Sequence, residues 1–172
     1  PVTVKTVAVL DRTKEPGAYG EPLYLDVAAA VQSSGRNINV TGGRYGLSSK
    51  EFDPVMVRAV FDELAREESR RQFTVGIDDD VTHLSLDISS GHFIDTDPDV
   101  VQTVFYGMGS DGTVGATKQL ADIITQTTGG YSQAYFNYSA KKSGGYTISQ
   151  LRFGPRPVRS EYGIIEADYV GC

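Results

Sequence analysis

The chain has 172 residues, is 40% hydrophobic and 22% charged, and carries a formal net charge of -6 with a sequence pI near 4.9. That composition excludes a disordered chain, and the acidic balance gives no support to nucleic-acid binding. The length suits one ordinary domain or two small ones. No apolar run approaches the roughly 18 residues of a membrane span and no apolar signal core is visible, so a cytoplasmic, membrane-free protein is expected.

The first expected strand covers residues 2–10. A polar loop punctuated by Pro16, Gly17, Gly20 and Pro22 follows, then a helix over 23–32 that stops at Ser33-Ser34-Gly35. A second strand over 37–41 runs into Gly42-Gly43-Arg44-Tyr45-Gly46. Ser48 or Ser49 is expected to cap the next helix, whose apolar face is Val55, Val57, Val60, Phe61 and Leu64. A third strand over 73–77 closes this unit. Residues 78–98 are acidic and lack sustained periodicity, so a boundary is placed there, dividing the chain into domains 1–95 and 96–172.

The second unit opens with a strand over 100–106 that runs directly into a glycine-rich turn and a helix reaching about Thr125. Strands over 131–138, 146–153 and 164–170 follow, the first two separated by the basic turn 140–145. Short strands alternating with helical patterns predict an α/β fold of two small units with mostly parallel sheets. The 12–21 loop mixes charge, glycine and proline in a way that suits docking against another domain.

The chemistry concentrates in Gly107-x-Gly109-x-x-Gly112-x-x-Gly115, set between a strand and a helix. Glycines allow a sharp turn and close backbone approach to an anion, and the helix start offers unpaired amides and a positive dipole end. The competing reading is a tight turn with glycines for packing only. About 20 residues on, folds that bind NAD place a carboxylate for the ribose hydroxyls. Here the stretch reads Asn137-Tyr138-Ser139-Ala140-Lys141-Lys142-Ser143, without one. The lysines favour a ligand with an extra phosphate, such as coenzyme A or NADP, and Lys118 can add a third positive charge; a solvated turn is the alternative. Asp78-Asp79-Asp80 lacks the alternation of a calcium loop, and His83 and His92 lack metal-ligand spacing. Cys172 is the one cysteine, too few for a disulfide, a cluster or a structural zinc site.

Residues 8–18 with 20–24, then 42–50 and 73–77, resemble the second domain of pyruvate:ferredoxin (flavodoxin) oxidoreductases, which has a transketolase C-terminal-like fold. Residues 107–118, 141–145 and 151–155 resemble the start of that family's third domain, expected as an incomplete Rossmann-like unit. The resemblance implies an internal piece of a large multidomain enzyme. That enzyme converts pyruvate and coenzyme A to acetyl-CoA and carbon dioxide, using thiamine diphosphate, and passes electrons through 4Fe-4S clusters to ferredoxin or flavodoxin. It further implies a homo-oligomeric parent and coenzyme A engagement by Ser110, Asp111, Gly112, Thr113, Val114, Gly115, Lys118, Lys141, Lys142 and Ser143. Thiamine and cluster sites are expected elsewhere in the parent, so this stretch carries no catalytic residue and is inactive alone. A free-standing module binding a phosphorylated cofactor, and a fused relative passing electrons to NADP or sulfite, are the competing expectations.

Overall fold

The computed structural model describes residues 2–89, 91, 97–141 and 144–172. The chain separates into two units, Pro1–Phe93 and Ile94–Cys172. Both mix helices and strands. No helix among the described residues is long and apolar enough to cross a membrane.

The first unit runs β1 (Thr6–Asp11), α1 (Pro22–Ser33), β2 (Asn39–Arg44), α2 (Pro54–Leu64) and β3 (Gln72–Thr74). Its three strands are parallel in the order β1-β2-β3, with Val9 opposite Gly42 and Gly43 opposite Phe73. Strand periodicity assigns the two helices to opposite faces. Leu10, Gly43 and Phe73 face α2, where Phe73, Val75, Val60 and Leu86 form the buried core with Met56 and Ala59 against it. Gly42 lies against the Tyr24 ring of α1 on the other face. Residues 84–86 run beside β3, through Thr74 N–H to the Leu84 carbonyl (3.0 Å) and Leu86 N–H to that of Thr74 (2.8 Å).

Helix α1 has no side-chain cap of its own at Glu21. The end of β1 supplies one: Asp11 accepts from Leu23 N–H at 3.1 Å and from Tyr24 N–H at 3.0 Å, satisfying two amides that the helix leaves open. The 12–21 loop, expected as a docking loop, is pinned within its own unit. Glu21 pairs with Arg44 (3.6 Å) and accepts from Glu15 N–H (2.5 Å), Arg12 Nε donates to the Gly46 carbonyl (2.9 Å), and Gln72 donates to that of Tyr19.

Several expected details differ. The cap of α2 is Asp53, which accepts from Met56 N–H at 2.9 Å, and not Ser48 or Ser49. Pro54 explains this: its fixed φ suits the first helical position, which makes its predecessor the cap. Val57 and Phe61 are exposed, whereas Met56, Ala59 and Val60 turn inward together with Glu63. Glu63 is buried because its carboxylate accepts from Arg70 N–H (2.8 Å) and faces the Arg66 guanidinium at 3.3 Å. Asp79, in the suspected acidic cluster, spends its oxygens on the N–H groups of Thr82 (3.0 Å) and Leu84 (3.2 Å), closing its own turn. His92 lies outside the described residues.

The second unit comprises β4 (Val101–Met108), α3 (Thr113–Thr128), β5 (Tyr131–Tyr138), β6 (Tyr146–Gly154) and β7 (Tyr169–Gly171). Its sheet is mixed, in the order β5-β6-β4-β7, and corrects the expectation of mostly parallel pairing. β6 is antiparallel to both β4 and β5, and only β7 runs parallel to its neighbour. The reason is the short 139–145 connection: a hairpin returns the chain antiparallel, whereas a parallel neighbour needs a long crossover. The result is a split β-α-β unit, since β6 sits between the parallel strands β4 and β5 that α3 connects. The expected strand over 164–170 shrinks to three residues. Upstream of it, Arg152 donates to the Tyr162 carbonyl (2.8 Å) and Gln150 accepts from Ile164 N–H, so side chains take the place of ladder partners.

Replacing Asp11 with Ala removes the cap of α1. The expected loss is about 1–2 kcal/mol, read as a lower denaturant midpoint for the first unit with the slope unchanged.

Candidate functional site

The glycine-rich turn joins β4 to α3. Gly112 caps α3 with φ +90°, a conformation that glycine adopts freely, and Ser110 also has a positive φ of 70°. Gly107 is required by space: a Cβ there would lie 2.6 Å from Thr113 Oγ1 and 2.8 Å from Asp111 Oδ2. Asp111 closes the turn with both oxygens, accepting from Met108 N–H at 2.7 Å and from Thr113 N–H at 2.8 Å. Its hydrogen bonds to Thr113, with the Met108 amide, hold its carboxyl below the usual 3.8, so it is ionised at neutral pH.

Gly115 has no such reason to be glycine. It lies in the first turn of α3 without positive φ, and a Cβ there would meet nothing within 4 Å. The amides of Val114 and Gly115 have no carbonyl to bond within the helix, so the start of α3 presents bare donors beside open space.

The β5–β6 turn is bonded to this one. Gly109 N–H donates to the Gly145 carbonyl at 2.8 Å, and Ser139 N–H to that of Tyr146 at 3.0 Å. An open groove of about 580 Å³ follows, lined by Ser110 and Val114 from one turn and by Tyr138, Lys141, Tyr146 and Thr147 from the other. It falls in the size range of small-molecule sites.

Of the residues expected from sequence, Ser110, Val114 and Lys141 therefore share one groove. Gly112, Thr113 and Gly115 form the helix start beside it, and the Asp111 carboxylate turns back into its own loop. The Lys118 ammonium rests over the Phe136 ring of β5, 5.3 Å from its centroid, a cation–π contact that engages this charge on the sheet. Lys142 and Ser143 lie outside the described residues. Sequence reasoning missed Tyr138, Tyr146 and Thr147. The available signal was two tyrosines bracketing the basic turn, which read simply as strand ends.

A sequence model of the family described as "Pyruvate ferredoxin/flavodoxin oxidoreductase" matches residues 102–172. The whole chain is 57% identical to the pyruvate:ferredoxin oxidoreductase of Moorella thermoacetica and 53% identical to the pyruvate-flavodoxin oxidoreductase of Rhodospirillum rubrum, covering 15% of each of those proteins. It is 49% identical to a mitochondrial pyruvate dehydrogenase [NADP(+)] of Euglena gracilis, covering 10% of it. The chain thus spans a small share of the length of the curated relatives that it matches. The chain is thus similar along its whole length to an internal stretch of pyruvate:ferredoxin/flavodoxin oxidoreductases.

Proposed function

We propose that this chain is the coenzyme A-engaging stretch of a longer pyruvate oxidoreductase. The longer protein oxidatively decarboxylates pyruvate with coenzyme A to acetyl-CoA and carbon dioxide, passing electrons to ferredoxin or flavodoxin in the cytoplasm. The first unit is its transketolase C-terminal-like domain and serves packing. The second begins its coenzyme A-binding domain, with the split β-α-β order in place of contiguous parallel strands.

The observation that carries this reading is the 2.8 Å bond from Gly109 to Gly145, which draws the bare start of α3 and the lysine-bearing turn around one groove. An anionic ligand there meets unpaired amides on one side and the Lys141 ammonium on the other. The ionised Asp111 opposes such a ligand, but its two oxygens are already spent on backbone amides that offset its charge. Ser110 Oγ and the amides of Val114 and Gly115 remain for phosphate oxygens. The missing contact at Gly115 further supports the reading, because a helical glycine costs about 1 kcal/mol relative to alanine and here serves no internal packing.

The other cofactors of the reaction do not fit this stretch. One cysteine cannot ligate a four-iron cluster, and no acidic residue with a downstream asparagine after a suitable strand marks a thiamine diphosphate site. The chemistry belongs to the rest of the longer protein, and the isolated chain turns over no pyruvate. The likeness to the Euglena gracilis protein, named for NADP(+), favours one variant reading in which electrons pass to that acceptor. The difference resides in residues outside this chain.

Titration by calorimetry tests the site. The chain binds coenzyme A more tightly than dephospho-coenzyme A, and replacing Lys141 and Lys142 with Ala closes most of that gap, an effect of about threefold to tenfold. Equal affinity of the unaltered chain for the two ligands overturns the lysine role. Gly115→Ala raises the stability of the free chain by about 0.5–1 kcal/mol while weakening coenzyme A. A variant that gains stability and keeps its affinity shows the helix start is not used.

A further inference from the structure

We infer that the first unit is completed by an amphipathic, carboxylate-bearing helix from another part of the longer protein, seated in a groove between α1 and the β3 edge of the sheet; this rests on the reading of the chain as one stretch of a longer protein. The three strands of this unit pair only in parallel, and Ser85 bridges Thr74 in the same sense. Sheets of this kind are covered on both faces, because their crossovers lay helices there. Helix α2 covers the Phe73 face. On the other face α1 packs over β1 and β2, and among the described residues no other α-helix of the unit lies there. Gln72 points to that face, since it pairs with Gly42, which lies against Tyr24. An open groove of about 550 Å³ is left beside α1, with Tyr24, Leu25 and Ala28 lining one side and Gln72 and Leu84 the other.

Helix α1 is itself built to be covered. It is apolar around most of its circumference, Asp26 is its one charged residue, and none of its residues is fully buried. A helix of this composition belongs in an interior rather than at a wet surface. Leu25, 40% exposed, and Ala28 stand three apart and form a ridge toward the groove, where the small alanine lets a second helix approach closely. Beside them the Tyr19 side chain is 96% exposed, although its carbonyl is held by Gln72. A tyrosine fixed by its backbone and bare at its ring is the kind of anchor that interfaces use. A small ligand in the groove would leave much of Tyr19 wet, whereas a helix lying along α1 covers it.

The arginines set the charge of the occupant. Arg70 and Arg71 line the groove and no carboxylate does, in a chain whose net charge is -6. The Arg70 guanidinium already donates to the Leu84 and Ser85 carbonyls, at 3.3 Å each, and pairs with Glu63. Arg71 is exposed and makes no side-chain hydrogen bond or ion pair among the described residues. A carboxylate on the incoming helix supplies its partner. The occupant is placed in the same polypeptide because the chain spans only 15% of the Moorella thermoacetica relative. In a protein of that length most of the sequence lies outside this stretch and is tethered to it at high effective concentration.

In the longer protein, a benzophenone amino acid takes the place of Leu25. Irradiation, proteolysis and mass spectrometry then identify the peptide joined to residue 25. The expected result is a peptide of the same polypeptide, outside these 172 residues, with apolar positions at three- and four-residue spacing and an Asp or Glu among them. Arg71→Glu is expected to lower the yield about threefold to tenfold, Arg71→Lys to keep most of it, and reversal of the partner's acid to restore it. A doubled mass that marks a second copy, a peptide without that spacing, a copurified small molecule or no attachment overturns the inference. Arg71→Glu without effect overturns it as well. The mass of the native polypeptide, measured first, keeps the two readings apart: a native chain of 172 residues removes both, whereas a longer one without the crosslink overturns only the helix.

Discussion

The arrangement of the second unit depends on β6 pairing antiparallel between β4 and β5. That insertion fixes a register in which Gly107 faces Thr147 and Met108 faces Tyr146. The end of β4 and the beginning of β6 must then coincide, and the two turns that leave them are brought within hydrogen-bond reach. The bond between Gly109 and Gly145 is a consequence of topology before it is a feature of any site.

Charge is managed locally in both units rather than through the net value. Asp11 ends β1 and Asp111 lies in the turn after β4, and each accepts from backbone N–H at the start of the following helix. In the first unit the anion consumes donors of α1 and the adjacent loop is stitched down by Glu21 and Arg44. In the second, Asp111 takes only the first amide of α3, and the next two have no carbonyl to bond within the helix. The same device thus closes one strand–helix junction and leaves the other receptive. This contrast distinguishes the two junctions more sharply than the count of glycines does.

Much of this was legible in the sequence, for identifiable reasons. Helix ends were readable where Gly129 and Pro22 impose them, whereas the start of α2 was sought at Ser48 or Ser49 although Pro54 sets it; the strand–turn–helix context of the glycine motif was readable because glycine spacing and β-branched runs are local signals. Pairing direction was not. A run such as Tyr146-Thr147-Ile148-Ser149 reads the same in a parallel or an antiparallel sheet, and only the length of the 139–145 connection carried the answer. Long-range caps were also invisible, since nothing near Leu23 announces that residue 11 will serve its amide. The burial of Glu63 depends on two arginines downstream of α2, and residue type alone argued for solvent. Of the candidate site, the residues gathered by chain proximity were found, whereas Tyr138 and Thr147 join it through cross-strand register, which sequence reports poorly.

The cap that Asp11 supplies from the end of β1 has a consequence for how the first unit withstands cleavage. Strand and helix are held together by the Asp11 carboxylate and by Tyr24 lying on Gly42, not solely by the peptide bonds that join them. Lys14 and Glu15 sit at the exposed crest of the connection, where a protease finds an easy target. A chain nicked there would still carry its helix docked on the sheet, and the two pieces would part only when the unit melts.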